Sequence, residues 1–175
     1  MSRSSVLYGP FSIVWGIGAV VLTLVLSKIA EKPMWYIFLI GMLIGGVYEY
    51  VCSLFTEMFL GSVFWDYSWM PLNIGGRTNV LYMAFWGLLS LVWIRWAYPK
   101  ISGVIECFPR FQGKVITWIF VVFMVCNTLI SVMAMVRYTK RQDGVEARTA
   151  IELFLDASYA DALIEEVWPN MMITK

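Results

Sequence analysis

The sequence of 175 residues contains no histidine, and only 14% of its residues carry a charge. Histidine is the usual general base near neutral pH, a common zinc ligand and the ordinary haem ligand. Its absence excludes Ser-His-Asp hydrolysis and zinc chemistry, and we predict no metal site and no cofactor. The three cysteines, Cys52, Cys107 and Cys126, are widely spaced and odd in number, so they do not indicate a disulfide framework.

Hydrophobic residues, in contrast, make up 60% of the chain, and the mean hydropathy is +0.72. A soluble domain of this size could not bury so much apolar surface, so lipid must be the solvent for much of the chain. The nine Trp and nine Tyr fit a membrane protein because their rings favour the bilayer interface. We therefore predict an all-α integral membrane protein in contact with the lipid bilayer, with no nucleic-acid partner.

Four segments are long enough to cross a hydrocarbon core of about 30 Å, which requires about 20 apolar residues in a helix. They lie at residues 11–27, 34–56, 78–94 and 115–136, and the only charge within them is that of Glu49. Lys28 and Pro33 follow the first, and we expect Arg95 and Pro99 to end the third. These four spans define a predicted transmembrane domain over residues 1–142.

Residues 57–77 do not form a fifth span. The uncharged runs on either side of Asp66 are too short to cross a bilayer, and Pro71, Gly75 and Gly76 break any helix there. The segment is nevertheless too apolar for a solvated loop. We expect it to be a re-entrant or interfacial segment, whose backbone is satisfied by other parts of the protein.

The last part of the chain, residues 143–175, differs in charge from the rest. It contains two basic and seven acidic residues, a net −5, whereas residues 1–142 contain eleven basic and five acidic residues, a net +6. Apolar residues recur at helical spacing from Ile151 to Tyr159, and a second helix is predicted from Asp161 as N-cap to Trp168. This acidic amphipathic tail should dock onto the basic remainder of the chain or onto a soluble partner, because anionic headgroups attract basic helices.

Four spans would put both termini on one side of the membrane. Basic residues divide evenly between the two sides, so the positive-inside rule does not decide the orientation. The cluster Arg137, Lys140 and Arg141 directly follows a span, which favours a cytoplasmic C-terminus, in a bacterial cytoplasmic membrane.

Glu49 is the most informative single residue because it lies well inside the second span. A carboxylate at such a depth costs about 2.5–3.5 kcal/mol on insertion scales, so it should face the protein and have a partner. One interpretation is a carboxylate that binds substrate or a proton. The alternative is a structural hydrogen bond or ion pair that fixes helix packing.

The interrupted segment supplies candidate partners for Glu49. Asp66 and Arg77 carry charge, Asn73 can donate and accept, and the Arg77 guanidinium could form a bidentate carboxylate pair. We therefore predict a polar intramembrane site with substrate-binding residues Glu49, Asp66, Tyr67, Ser68, Asn73 and Arg77. The alternative is a polar plug that stabilises a turn without binding a ligand.

Other residues of the same region are predicted to be structural. Gly41 and Gly45 form a small-xxx-small pair typical of close helix contact, with homodimerisation as the alternative. Gly75 and Gly76 allow close backbone approach. The predicted structural set is Gly41, Gly45, Trp65, Pro71, Gly75, Gly76 and Trp86.

The stretch "YEYVCSLFTEMFLGSVFWDYSWMPLNIGGRTNVLYMAFWGLL" resembles the CmpB-type "putative ABC transporter permease" family. In that family a Tyr-Glu-Tyr helix end leads to a W-D-Y-S…P…N…G-R segment and then to a W-G-L-L span. The resemblance runs from about Gly41 to Met171 and includes the tail, where Tyr159-Ala160-Asp161 replaces the Tyr-Pro-Asp-like stretch usual in the family. The matching residues are Glu49, Trp65, Asp66, Tyr67, Ser68, Pro71, Asn73, Gly76, Arg77, Trp86, Gly87, Leu155, Asp156, Asp161, Pro169 and Asn170.

The resemblance implies a small transporter or permease component. Four spans are few for a complete permease, and the chain lacks the G-x-x-x-x-G-K-[ST] phosphate loop, so a separate ATPase, another subunit or homo-oligomerisation would be needed. Two alternatives remain. One is a membrane-embedded enzyme or binding protein for a lipid-like substrate, although catalysis is less favoured. The other is a non-catalytic scaffold whose tail recruits a partner.

Overall fold

The computed structural model describes residues 5–174, and most of them are helical. Short strands occur as two antiparallel pairs, β1 with β4 and β2 with β3. In chain order the elements are α1 (Ile13–Leu26), α2 (Met34–Leu60), β1 (Ser62–Val63), β2 (Asn73–Ile74), β3 (Thr78–Asn79), α3 (Val80–Val92), α4 (Tyr98–Glu106), α5 (Arg110–Gln142), α6 (Ala150–Ser158), α7 (Asp161–Val167) and β4 (Met172–Ile173).

Three helices of the described chain are long and apolar enough to cross a membrane. They are Met34–Leu60, Val80–Glu106 and Arg110–Gln142, which correspond to the second, third and fourth predicted spans. The first predicted span forms the shorter apolar helix Ile13–Ile29, which consists of α1 and one 3₁₀ turn. The prediction of a mainly helical chain with membrane-spanning helices is therefore confirmed for three helices, whereas a membrane crossing by the first predicted span stays a prediction.

The helices of the second and third predicted spans continue past the residues that we assigned to those spans. The second continues past Thr56 to Leu60, because the apolar residues 58–60 prolong the helix until Gly61 ends it with a left-handed φ of +61°. The third continues past Ile94 to Glu106. A π-helical turn, Trp93–Ala97, joins α3 to α4, and the N–H of Tyr98 donates to the carbonyl of Trp93. This wider turn lets the helix continue at Pro99, which lacks an N–H.

The described chain divides into two compact units. One contains Val14–Cys52 and Asp66–Ile119, and we call it the glycine-contact unit. The other contains the residues up to Ile13, Ser53–Trp65 and the residues from Phe120 onward, and we call it the tail unit.

In the glycine-contact unit, α2 and α3 approach each other at glycines. A Cβ at Gly45 would collide with the Trp86 side chain, and one at Gly46 would collide with Met83. At Gly41 an added Cβ would overlap the side chain of Ser90. Small residues of this kind let helix backbones come close in a membrane. The helices therefore lie antiparallel, with Gly46 near the start of α3 and Gly41 near its end.

In the tail unit, α6 and α7 pack against the C-terminal half of α5. The buried core of this unit consists of Ala134, Met135, Tyr138, Leu155, Tyr159, Ile164 and Trp168. The two strands of the unit pair Ser62 with Ile173 and Val63 with Met172, which fixes the end of the chain beside the end of α2. The Tyr8 hydroxyl lies 2.9 Å from that of Tyr159, so the N-terminal segment also contacts the tail.

Ion pairs join the acidic tail to the basic end of α5. Arg137 is 3% exposed and donates to both carboxylate oxygens of Asp156, at 2.8 and 2.7 Å. Arg141 bonds the same carboxylate at 2.6 Å and Asp161 at 2.7 Å. Lys140 pairs with Glu152 at 3.1 Å. The opposite charges of the two parts of the chain thus meet directly.

The starts of the two tail helices have different capping. Thr149 and Glu152 form a reciprocal capping box at α6, a Thr-x-x-Glu pattern that the sequence already contains. Asp161 is not the N-cap of α7, as the sequence suggested, but its first helical residue after Ala160. Its carboxylate is bonded by Arg141 and Gln142, and no side chain caps this helix.

The tail should undock in acid because its paired carboxylates must be protonated. Hydrogen bonds from Arg137 and then Arg141 lower the pKa of Asp156 from 3.8 to about 2. The Arg148 backbone N–H and then Lys140 lower the pKa of Glu152 from 4.5 to about 2. Both pKa values are lower in the folded chain than the ordinary values of 3.8 and 4.5. The ion pairs therefore stabilise the docked tail fully above those ordinary pKa values, and this stabilisation is lost as the pH falls towards 2.

Amide hydrogen exchange measures this loss. Protection factors over α6 and α7, corrected for intrinsic exchange, should be high at about pH 6 and fall steeply at about pH 2.5. Asp156→Asn should lower the protection factors already at the higher pH, and it should reduce the difference in protection between the two pH values. Equal protection at both pH values in the unsubstituted chain would show that these ion pairs do not hold the tail.

Candidate functional site

The segment between α2 and α3 contains a tight β-hairpin. Asn73 pairs with Asn79 and Ile74 with Thr78, and the N–H of Arg77 donates to the carbonyl of Ile74. The two residues at the turn, Gly75 and Gly76, have φ of +59° and +69°. Two consecutive positive φ values are those of a type I′ turn, which glycine adopts without steric cost. The double glycine of the sequence is therefore explained by the hairpin.

Asp66, Ser68 and Asn73 hold the rest of this segment together. The Asp66 carboxylate accepts from the N–H of Ser68 at 2.8 Å and from its hydroxyl at 2.6 Å. Asn73 donates to the carbonyl of Met70 at 2.7 Å and accepts from the N–H of Gly76 at 3.0 Å. These bonds satisfy a backbone that has no regular helix or sheet to use.

Gly76 also lies directly against this cluster. A Cβ at Gly76 would be 2.8 Å from the Asp66 carboxylate and would overlap the hydroxyl of Ser68. The position therefore requires glycine for space as well as for backbone conformation.

Glu49 receives two hydrogen bonds from hydroxyls of this segment and its hairpin. The Tyr67 hydroxyl donates to Oε1 at 2.8 Å, and the Thr78 hydroxyl donates to Oε2 at 2.8 Å. Glu49 is half-buried in α2, and Thr78 is 2% exposed. Both donors are neutral hydroxyls. Within residues 5–174 the carboxylate therefore has hydrogen-bond partners, but none of them carries the opposite charge.

Two aromatic contacts are formed near Glu49. The rings of Tyr67 and Tyr82 stack with centroids 4.6 Å apart. The Arg77 guanidinium lies 5.9 Å from the centroid of the Tyr50 ring, within the range of a cation–π interaction. The site is thus a carboxylate held by two hydroxyls, one of which belongs to a ring that stacks on a second tyrosine.

The pKa shifts of the segment agree with its hydrogen bonds. Burial raises the pKa of Tyr67 above its usual range, and the neighbouring Glu49 raises it further. Tyr67 therefore stays protonated and donates its hydrogen bond at any physiological pH. Hydrogen bonds from Ser68 lower the pKa of the exposed Asp66, which stays ionised.

The residues predicted for the site fall into two groups. In the first group, the Tyr67 hydroxyl donates to Glu49. In the second, the Ser68 hydroxyl donates to Asp66, and the Asn73 side chain donates to the backbone carbonyl of Ser68. Two hydroxyls donate to the Glu49 carboxylate, and the Arg77 guanidinium lies over the Tyr50 ring, so the bidentate pair that Arg77 could form stays a prediction. Of the predicted structural residues, Trp65 is half-buried, Pro71 is exposed, and Trp86 lies against Gly45.

Three residues with direct roles were missed by the sequence reasoning. Thr78 is the second donor to Glu49, and Tyr82 stacks on Tyr67. Asn79 is the N-cap of α3, where its side chain accepts from the N–H of Leu81, and it also donates to the carbonyl of Pro71. An Asn directly before an apolar run is an N-cap signal that could have been recognised. The hydroxyl of Thr78 gives no such signal.

Comparison with known families decides the relationship of the chain. Residues 1–132 match the CmpB family, described as "Putative ABC-transporter type IV". The chain belongs to the CmpB family. Among curated proteins no match is found, and no solved structure matches either.

The family match includes the whole candidate site of this CmpB-family protein. Glu49, the hairpin and the start of α3 all lie within residues 1–132, and so do α1, α2 and the first two thirds of α5. The apolar helices and the family together identify an integral membrane protein related to ABC transporters. The tail follows the matched residues, so its resemblance to the family stays a prediction.

A double-mutant cycle tests whether Tyr67 and Glu49 interact energetically. Tyr67→Phe and Glu49→Ala should each lower the stability measured by reversible unfolding in mixed detergent. The coupling between them should be about 0.6 kcal/mol, the average for polar pairs in a membrane protein, and at most about 1.7 kcal/mol.

Tyr82→Phe provides the matched control. It also removes a tyrosine hydroxyl, from the ring stacked on Tyr67, and should show no coupling with Glu49→Ala. Equal coupling for both tyrosines, or none for Tyr67, would contradict the assigned hydrogen bond.

Proposed function

We propose that this chain is the membrane-embedded component of a transporter, with a substrate- or proton-binding site at Glu49. The site lies in a membrane-spanning helix and is closed on one side by the hairpin segment. Asp66, Ser68, Asn73 and Arg77 belong to that segment. In this proposal Tyr67 and Thr78 bind the carboxylate in the absence of substrate.

The observation that carries the proposal is the unpaired charge of Glu49. Neutral hydroxyls lower the cost of placing a carboxylate in a membrane, but they leave its charge uncompensated within the described residues. A bound proton, or a substrate with a positive or hydrogen-bond-donating group, would supply what is missing. A purely structural carboxylate in lipid would be better stabilised by a guanidinium or ammonium group.

The irregular backbone beside Glu49 supports the same function. Transporters often place their binding sites where backbone between helices is non-helical, because such backbone is tolerated only inside protein or beside a water-filled cavity. The segment from Gly61 to Asn79 has this character, and we propose that it is re-entrant or interfacial. Its tight hairpin would then form one wall of the site.

The proposed transporter needs at least one further subunit. The chain has no phosphate-binding loop for ATP, so hydrolysis would come from a separate ATPase. Homo-oligomerisation is a second means of completing a translocation path with so few spans. We propose a bacterial cytoplasmic membrane as the location, with the C-terminus on the cytoplasmic side where an ATPase would bind.

Purification from native membranes followed by flux measurements tests this function. We expect a P-loop ATPase to co-purify with the tagged full-length chain. Reconstituted vesicles should move at least one solute of a labelled amino-acid, sugar and cation panel when supplied with ATP. Glu49→Gln should retain the ATPase and abolish the flux.

Gly16→Ala is the control for the vesicle experiment because a Cβ there meets no other atom within 4 Å. It should behave as the unsubstituted protein does. Unchanged flux in Glu49→Gln would contradict the proposed role of the carboxylate. Turnover of a lipid without flux would favour the enzyme alternative, and recruitment of a partner without either would favour the scaffold.

A further inference from the structure

In helix α6 the charged residues face the rest of the protein and apolar residues face outward, which is the reverse of a helix on a water-facing surface. Its charged residues, Glu152 and Asp156, lie on the face that packs against α5, together with Leu155. The opposite face is formed by Ala150, Ile151, Leu153, Phe154, Ala157 and Ser158, and all six are exposed. This outer face contains no charge.

The exposed residues of α6 are large as well as apolar. Ile151, Leu153 and Phe154 are 58%, 59% and 60% exposed, and they lie within one helical turn of one another. Water-facing helices usually carry charged residues on their outer face. An outer face with three large apolar side chains and no charge is instead typical of a helix in contact with lipid.

The position of α6 along α5 places it near the end of a membrane span. A groove of about 240 Å³ lies between the two helices. Its lining consists of the apolar residues Val132, Met133, Val136, Ile151 and Leu155 and the charged residues Arg137, Lys140 and Glu152. Val136 is the last residue before the first basic side chain of the α5 end, Arg137. Helix α6 is therefore level with the boundary between the apolar part of α5 and its charged end.

The ion pairs remove the electrostatic objection to a membrane position. The net −5 of the tail would repel anionic headgroups if its carboxylates faced outward. Glu152, Asp156 and Asp161 are paired with Lys140, Arg137 and Arg141, so their charge is neutralised against α5. The other four acidic residues of the tail are exposed and lie outside α6: Asp143 and Glu146 precede it, and Glu165 and Glu166 lie on α7.

From these observations we propose that α6 is an interfacial membrane helix. Its outer face, Ile151, Leu153 and Phe154, inserts between the headgroups and the acyl chains of the bilayer on the side where α5 ends. The ligand of this surface is phospholipid, and the ion pairs to α5 hold the helix at that depth. Helix α7 lies on the aqueous side.

Spin labels in proteoliposomes test this position. Single cysteines are introduced at Phe154 and Glu166 of a full-length chain in which Cys52, Cys107 and Cys126 are replaced by serine. In vesicles of phosphatidylcholine with phosphatidylglycerol, oxygen and nickel-chelate accessibilities give the depth of each label. The label at 154 should lie roughly 5–10 Å below the phosphates, while the label at 166 should be in water.

A second measurement keeps the native cysteines, in case their replacement disturbs the fold. Benzoylphenylalanine at position 154 should photo-crosslink to phospholipid, and the same residue at position 166 should not. A water-accessible label at 154, or its crosslinking to protein instead of lipid, would overturn the proposal. Equal lipid contact at 154 and 166 would overturn it as well, because the tail would then lack the predicted orientation.

Discussion

The carboxylate of Glu49 is the constraint on which the arrangement of the glycine-contact unit depends. A carboxylate in a membrane-spanning helix needs donors, and the helix itself has none to spare, because its backbone N–H groups are bonded along the helix. The donors are Tyr67, within the segment that connects α2 to α3, and Thr78, near the end of that segment. Two points of the segment are therefore fixed to the same residue.

The glycine contacts bring these donors within reach. Along the two antiparallel helices, Gly41 faces Ser90, Gly45 faces Trp86 and Gly46 faces Met83. One helical turn further along α2 is Glu49, and the corresponding step back along α3 reaches Thr78 and Asn79, which directly precede this helix. Close approach of the helices at small residues thus determines which side chain meets the carboxylate. The register of α2 against α3 therefore determines both the close packing of the two helices and the hydrogen bonds of Glu49.

Much of this arrangement could be predicted from residue patterns, and the remainder depends on three-dimensional proximity. The length and apolarity of four runs predict four membrane spans, and three of these runs form helices long enough to cross a membrane. A carboxylate at Glu49, inside the second span, predicts that donors must exist. Which donors they are depends on contacts between residues 29 positions apart in sequence, as for Thr78. Charge alone suggested Arg77, but geometry favours hydroxyls.

For the tail, too, the sequence predicts an interaction but not its geometry. Opposite net charges predict that residues 143–175 interact with the basic part of the chain, and Arg137, Arg141 and Lys140 indeed form pairs with it. Net charge does not tell which face of α6 holds the carboxylates. The net charge of the tail argues against contact with lipid. Because the carboxylates point inward and the exposed face of α6 is apolar, we infer instead that α6 contacts lipid.

The most direct test of the central claim is infrared difference spectroscopy of the Glu49 carboxyl group. Spectra of the purified chain labelled with ¹³C-glutamate, minus those of Glu49→Gln, isolate its stretching band. Tyr67→Phe and Thr78→Val should each shift that band, because each removes one hydrogen bond to a different carboxyl oxygen. A band unchanged in both variants would contradict the account that two hydroxyls hold this carboxylate.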